Sequence, residues 1–214
     1  LAGYTNAGKS TIMQSISESD IYIQNQLFAT LDTTTRKIKN KNGHDFLLSD
    51  TVGFIRKLPH DLIASFRSTL MEIEESDLII KVLDSSSSNI EMHLATINNV
   101  LKVLNISTRL ELLVFNKTDL IEPGDLNRLK KIYPQGLFIS ANKQIKINEL
   151  LDMIQKKLST LNIISTIDIP YSKLSIVDYI YRNCKVLNRK DEYDKVVLQI
   201  EANPIHIDKL KAKI

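Results

Sequence analysis

The chain has 214 residues, of which 43% are hydrophobic and 25% charged, as in a soluble globular protein with a proper core. Its single cysteine, Cys184, excludes an internal disulfide, agrees with a cytoplasmic location and is expected to be a buried core thiol. No apolar stretch approaches the roughly 20 residues of a membrane span, so no integral membrane association is expected. The net charge of +3 permits an RNA-rich partner without requiring one.

Polar loops and short apolar runs alternate in the first part of the chain. In order, the pattern predicts a helix from Lys9 to about Glu18, a loop over Tyr22–Thr35, a β-hairpin with strands Arg36–Asn40 and His44–Ser49, a polar stretch over Asp50–His60, an amphipathic helix over Asp61–Glu75 and a buried strand over Asp77–Leu83.

Helices and strands continue to alternate in the middle of the chain. The predicted elements are a helix over Ile90–Leu104, a strand over Leu110–Phe115, a helix over Leu126–Tyr133, a strand over Gly136–Ser140 and a helix over Ile147–Leu161. This alternation predicts an α/β fold with a mostly parallel sheet covered by helices on both faces. The hairpin is expected to add one antiparallel edge strand.

The pattern changes near Asn162. Beyond it, the expected order is a strand over Ile164–Ile169, a helix over Leu174–Asn183, strands over Lys185–Asn188 and Lys195–Glu201, and a helix over Ile207–Lys213. We therefore predict two domains, a larger one over residues 1–161 and a small α+β (βαββα) domain over residues 162–214.

A phosphate-binding motif opens the chain. Gly3-Tyr-Thr-Asn-Ala-Gly8-Lys9-Ser10 matches G-x-x-x-x-G-K-[ST], in which backbone N–H groups and a helix N-terminus surround phosphate oxygens. Lys9 is expected to reach the β- and γ-phosphates, and the Ser10 hydroxyl to ligate Mg²⁺. Because a buried strand precedes such a loop, we expect a fragment of a longer protein that lacks most of its first strand.

A second motif, Asp50-Thr51-Val52-Gly53, follows the second hairpin strand. Its carboxylate is expected to hold Mg²⁺ through water, and the Gly53 N–H to bond the γ-phosphate. A threonine from the preceding loop should complete the metal shell. Thr30 is preferred for reach, while Thr33, Thr34 and Thr35 lie closer to the hairpin and remain alternatives.

The third and fourth motifs point to guanine. Asn116-Lys117-Thr118-Asp119 ends a predicted strand, and the Asp119 carboxylate can accept both donors on the guanine edge, which adenine lacks. Ser140-Ala141-Asn142 ends the next strand, and the Ala141 N–H is expected to bond the guanine oxygen. Since open α/β sheets bind ligands at the carboxyl ends of their strands, the motifs together predict a P-loop GTPase fold that takes GTP and GDP.

Four runs, GYTNAGKST, FATLDTTTR, DTVGFIRKLPHDLIASFRSTL and NKTDL, resemble those of the HflX-type GTPases of the Obg–HflX group, over roughly residues 1–160. Thr33 stands where that family usually has proline, and Asn142 where it usually has lysine. The tail around Ile169-Pro170-Tyr171 resembles the family's C-terminal domain more weakly. The resemblance implies a GTPase that binds RNA and protein of the large ribosomal subunit and splits or rescues stalled ribosomes under stress.

The resemblance also implies an N-terminal domain that this chain lacks. We expect a monomer with no DNA partner. Catalysis is assigned to Lys9, Thr30 and Gly53, and metal binding to Ser10 and Thr30, with Asp50 acting through water. The implied nucleotide contacts are Gly3, Tyr4, Thr5, Asn6, Ala7, Gly8, Lys9, Ser10, Phe28, Ala29, Thr30, Leu31, Asp32, Asp50, Thr51, Val52, Gly53, Asn116, Lys117, Thr118, Asp119, Ser140, Ala141 and Asn142.

The sequence leaves open which group orients the attacking water. Many GTPases place a glutamine directly after D-x-x-G, and here Phe54 holds that position. In several related GTPases an asparagine at the position of Asn6 helps to bind K⁺ beside the phosphates, which gives a K⁺ hypothesis here.

Alternatives to the ribosome-associated switch are a GTPase of tRNA modification or ribosome assembly, and a nucleotide-gated binding module with negligible turnover. Asp119 disfavours an ATP-dependent kinase.

Overall fold

The computed structural model describes residues 1–17, 34–39, 45–51, 53, 73–104, 106 and 110–214. These residues divide into two compact units, Leu1–Ile154 and Gln155–Ile214. The sequence places the domain boundary at 161/162, whereas the second compact unit begins seven residues earlier, inside a helix.

The first unit alternates strands and helices as its hydrophobic pattern predicts. Its elements are β1 (Ala2–Gly3), α1 (Lys9–Ser17), β2 (Thr34–Ile38), β3 (Phe46–Asp50), β4 (Leu78–Asp84), α2 (Ile90–Val103), β5 (Leu110–Asn116), α3 (Pro123–Ile132), β6 (Leu137–Phe138) and α4 (Ile147–Ser159).

Four of these strands form a parallel sheet in the order β1-β4-β5-β6. The register pairs Asp84, the last residue of β4, with Asn116, the last residue of β5. The carboxyl ends of the two central strands therefore lie side by side, and the loops that follow them share one edge of the sheet. This edge is where the sequence expects the ligand.

The hairpin of β2 and β3 is antiparallel, with Thr34 opposite Asp50 and Ile38 opposite Phe46. Among the described residues it forms its own two-stranded sheet, so the expected extension of the parallel sheet by an antiparallel edge strand is wrong as stated. Because β1 has only two residues, the link to it consists of single bonds, such as the one that the Thr51 hydroxyl donates to the Leu1 carbonyl (2.8 Å).

The core of the first unit lies between this sheet and the helices. On one side, Ile97 and Leu101 of α2 pack against Ile79 and Leu83 of β4. Phe115 is fully buried and stacks on Phe138 of β6, with ring centroids 4.7 Å apart. These contacts fix the strands whose ends carry the predicted motifs.

The second unit contains β7 (Ile163–Pro170), α5 (Ser175–Asn183), β8 (Lys185–Asp191), β9 (Lys195–Ala202) and α6 (Pro204–Lys211). The strands form an antiparallel sheet in the order β7-β9-β8, as a βαββα pattern allows. Alternate residues of β9 face a core that also holds Cys184, whose thiol pKa is raised by burial. The expected core thiol is thus confirmed.

Three expectations need correction or fall outside the described residues. Strand β2 begins at Thr34, so Thr34 and Thr35 belong to a strand rather than to the predicted loop. Helix α3 begins at Pro123, three residues early, because proline at the first helical position needs no N–H partner. Of the predicted helix over 61–75, residues 73–75 are described and helical. Within the described part, no helix is long and apolar enough to cross a membrane.

Candidate functional site

The phosphate loop joins β1 to α1 and packs closely against Asn116 at the end of β5. Gly8 has a φ of +90°, and a Cβ built there would lie 2.3 Å from the Asn116 amide nitrogen. Asn6 also has a positive φ (63°), a conformation that asparagine tolerates better than most side chains. The loop therefore turns where its sequence permits it, and α1 follows with its N-terminus at the site.

Lys9, the first residue of α1, is only 6% exposed. Its ammonium donates to the carbonyls of Gly3 (3.2 Å) and Tyr4 (3.3 Å), both within the same loop. Burial lowers the Lys9 pKa, and the nearby Asp50 charge opposes that shift in part. A buried ammonium with neutral partners is stabilised strongly by an anion, which is the property that phosphate binding needs.

Asp50, at the end of β3, contacts the phosphate loop directly. Its Oδ2 accepts a 2.5 Å hydrogen bond from the Ser10 hydroxyl. Its Oδ1 is buried and accepts no hydrogen bond from any described residue. A carboxylate oxygen with spare capacity beside a hydroxyl is a donor set that suits a hard cation, so these residues fit the Mg²⁺ ion that the sequence predicts.

Gly53 lies close to the phosphate loop. A Cβ there would come within 2.9 Å of the Lys9 ammonium and 2.8 Å of the Thr5 Cα. Only glycine lets the backbone of this segment approach the loop so closely. The structure thus brings together the first two predicted motifs.

Asn116, at the end of β5, connects the phosphate loop to the loop after β6. Its side chain donates to the Ala7 carbonyl (3.1 Å) and accepts from the Ala141 N–H (3.0 Å), and the residue is 2% exposed. The predicted role of this asparagine, tying its loop to its neighbours, is confirmed. It also means that the Ala141 N–H, assigned from the sequence to the guanine oxygen, is bonded to Asn116 instead.

Asp119 is presented by the neighbouring loop. The Ser140 hydroxyl donates to Asp119 Oδ1 (2.6 Å), and the same hydroxyl accepts from the Lys143 N–H (3.1 Å). Thr118 donates through both its N–H and its hydroxyl to the Ile139 carbonyl. Asp119 is exposed, so its carboxylate is oriented by the protein and still accessible to a ligand.

Lys117 has a partner that no sequence motif suggested. Its ammonium donates to Asp84 Oδ2 (2.7 Å), while Asp84 Oδ1 accepts from the N–H and hydroxyl of Ser86. Burial alone raises the Asp84 pKa, but the hydrogen bonds from Lys117 and Ser86 outweigh it and hold this pKa below its usual value. The position of Asp84 at the end of a predicted strand was the available signal.

Some predicted contacts lie outside the described residues. These are Phe28, Ala29, Thr30, Leu31, Asp32 and Val52, together with Phe54. Their assignments stay predictions. Asn142 is described and exposed next to Ala141.

Comparison with known protein families agrees with this geometry. Residues 1–117 match the family described as "50S ribosome-binding GTPase", and residues 128–214 match the "HflX C-terminal domain".

Among curated relatives, the GTPase HflX of Gluconacetobacter diazotrophicus is 36% identical over the whole chain, which covers 48% of that protein. The GTPase HflX of Escherichia coli is 38% identical over 74% of the chain and 38% of its own length. The chain thus spans about half or less of the length of these relatives.

Solved structures share the fold. A GTP-binding protein from Sulfolobus solfataricus, crystallised with GDP, aligns with a TM-score of 0.57 and 26% identity, over 75% of this chain and 51% of that one. Aquifex aeolicus Era aligns with a TM-score of 0.58 over 73% of this chain and 55% of that one. At 22% identity, the Era match supports the fold alone.

Proposed function

Since this chain belongs to the HflX-type family of P-loop GTPases, we propose that it binds GTP and GDP and hydrolyses GTP to GDP and phosphate. The proposal includes the division into a nucleotide-binding domain over residues 1–161 and a small domain over residues 162–214. The observation that carries it is Asn116, whose one side chain joins the phosphate loop to the loop that orients Asp119. This link supports the proposal that phosphate and guanine are recognised at one site.

At the phosphate end, Lys9 and the loop amides stabilise negative charge on the transferring phosphoryl group. Bound Mg²⁺ would supply further positive charge to the phosphates. We assign it to Ser10 and Thr30 directly and to Asp50 through water, an assignment supported by the short Ser10–Asp50 hydrogen bond. Gly53, packed beside Lys9, is the proposed γ-phosphate contact.

At the base end, Asp119 accepts the N1–H and 2-amino donors of guanine. Its Oδ1 is oriented by Ser140, which supports a fixed recognition geometry. Adenine offers an acceptor where guanine offers a donor, so it leaves the carboxylate unpaired. On binding, the guanine oxygen either shares the Ala141 N–H with the Asn116 side-chain oxygen or replaces that oxygen as its acceptor.

Because the Phe54 ring cannot hydrogen-bond the attacking water, K⁺ beside the β- and γ-phosphates is proposed to supply positive charge in the place of an arginine finger. Asn6 is exposed in the phosphate loop, and its amide oxygen is a ligand that a hard cation accepts. GTP turnover in potassium is then expected to exceed turnover in sodium at equal ionic strength. Equal rates in the two salts contradict the role of K⁺ and leave GTP binding unaffected.

The proposed partner is the large ribosomal subunit, and the proposed role is splitting or rescue of stalled ribosomes. The matched family's description as ribosome-binding supports this partner.

Two measurements test the proposal. Calorimetry on the full chain is expected to detect Mg²⁺-assisted binding of GDP, with ATP bound far more weakly; comparable affinity for ATP contradicts guanine recognition. Co-sedimentation with purified large and small subunits, in GDP and in a non-hydrolysable GTP analogue, tests the partner. Selective, GTP-dependent retention on the large subunit is expected.

Single-turnover hydrolysis with and without ribosomes separates the remaining alternatives. Turnover that ribosomes stimulate supports the switch, while GTP-dependent binding without turnover favours a nucleotide-gated binding module. Retention on tRNA in place of the large subunit favours a tRNA-modification GTPase.

A further inference from the structure

Asp84 ends β4 beside the guanine-recognition segment. The β4–β5 register places it opposite Asn116, one residue before Lys117. Lys117 has a φ of +63°, so its backbone is held in a left-handed conformation, and its side chain reaches across to Asp84. The lysine stem is therefore fixed at both ends, by the backbone at the end of β5 and by the carboxylate at the end of β4.

This ion pair is less exposed than the surface pair of Arg189 and Asp191. The side chains of Lys117 and Asp84 are 29% and 20% exposed, whereas those of Arg189 and Asp191 are 44% and 52% exposed. Reduced exposure strengthens a charge-assisted hydrogen bond, which in fully exposed pairs contributes little.

The carboxylate is itself held in place. Ser86 donates to Asp84 Oδ1 through its N–H (2.9 Å) and hydroxyl (2.6 Å), and the Ser85 N–H donates to the Asn116 carbonyl (2.9 Å). The loop after β4 is thus bonded to the end of β5, and Asp84 has one oxygen left for Lys117. Such an arrangement orients a neighbouring group more than it stabilises the fold at large.

We propose that Asp84 is a positioning residue for nucleotide binding, which holds the Lys117 stem flat beneath the guanine base and so slows nucleotide release. The inference rests on the proposed GTP and GDP binding. Lys117 provides the contact with the base, and Asp84 acts only through Lys117. The polar segment Ser85–Ser88, which no nucleotide motif includes, gains a role as the support of this carboxylate.

The test is the dissociation rate of a fluorescent GDP analogue from the full chain, measured by a chase with excess GDP. Asp84→Asn keeps the size of the side chain and removes its charge, and it is expected to speed release about tenfold. In a Lys117→Met background, which keeps the apolar stem, the same change is expected to alter release by less than about twofold, because the partner is already absent.

Glu111→Gln is the matched control. Glu111, the second residue of β5, pairs with the buried Lys81 in the middle of β4, and neither lies at the carboxyl end of its strand. This variant is expected to lower thermal stability without changing the release rate. Asp84→Asn should instead speed release without lowering thermal stability, and this difference separates positioning from a structural role.

Each outcome decides between the two proposals. If the unmodified chain does not bind the GDP analogue, the proposed function fails. If it binds and Asp84→Asn releases at the original rate, or speeds release equally with and without Lys117, only the role of Asp84 is overturned. If Asp84→Asn does not fold, Ser86→Ala decides, with release about twofold to threefold faster expected from the loss of one orienting bond and an unchanged rate as the contrary result.

Discussion

The base end and the phosphate end of the proposed nucleotide site differ in how the protein satisfies their polar groups. At the base end, Asn116, Lys117 and Asp119 all have side-chain or backbone partners within the chain. At the phosphate end, Asp50 Oδ1 is buried without a partner among the described residues, and Lys9 is buried against neutral carbonyls. In the proposed function, guanine recognition thus depends on geometry set in advance, whereas phosphate binding depends on charge that the ligand supplies.

The largest expected effect that tests this contrast follows from Lys9→Met. Loss of the ammonium should weaken GDP and GTP binding by roughly a thousandfold, since it removes at least two charge-assisted hydrogen bonds to phosphate. Calorimetric titration measures this loss. Lys130→Met, at an exposed position of α3, is the control and should bind normally.

Lys9→Met should also stabilise the nucleotide-free protein at neutral pH, by about 1 kcal/mol or a melting shift of about 2–4 °C. Because the folded-state Lys9 pKa is lowered, the unfolded chain binds more protons between that pKa and 10.5, and wild-type stability rises with pH across this window. The advantage of Lys9→Met should therefore shrink in that range. An advantage that stays constant with pH argues against a burial penalty on the ammonium.

Asp119→Asn tests the base end. The amide offers a donor to the extra carbonyl of xanthine and only one acceptor to guanine, so GDP affinity should fall about a hundredfold while xanthosine diphosphate gains. Competition between the two diphosphates gives the ratio. Asp125→Asn, an exposed change on α3, should leave the ratio unaltered. A variant that still prefers GDP rules out carboxylate-based selection of guanine.

Asp50→Asn should have the smallest effect of the three. It keeps an acceptor for Ser10 and removes the charge, so the Mg²⁺ concentration for half-maximal turnover should rise about tenfold, as for other groups that act through bound water. Asp45→Asn removes a carboxylate that pairs with Lys37 in the same hairpin and serves as control. If both variants need the same Mg²⁺ concentration as the wild type, Asp50 has no part in holding the metal.

The sequence predicts the alternation of strands and helices because each buried strand is a short apolar run, whereas each helix repeats its apolar residues every three to four positions. It also predicts the phosphate loop, Asn116 and Asp119, because their spacing within a motif is local. The sequence also predicts that Asn116 ties its loop to neighbouring loops, as it does through Ala7 and Ala141. It does not predict that the Ala141 N–H is bonded to Asn116.

Contacts between distant segments are the part that the sequence does not predict. The Asp84–Lys117 pair joins residues 33 apart, and only the β4–β5 register brings them together. The start of β2 at Thr34 is set by pairing with Asp50, a tertiary contact that outweighs the polar character of three consecutive threonines. The start of α3 is indicated locally by Pro123, a signal that the hydrophobic pattern alone does not contain.

The double role of Asn116 has a thermodynamic consequence. One amide restrains two loops, so any ligand group that tightens one of them changes the free energy of ordering the other. Reciprocity then requires that bound triphosphate changes the affinity for guanine by the same factor as bound guanine changes the affinity for triphosphate. In the proposed function, the base and the triphosphate supplied as separate molecules should each bind more weakly than they do when joined in one nucleotide.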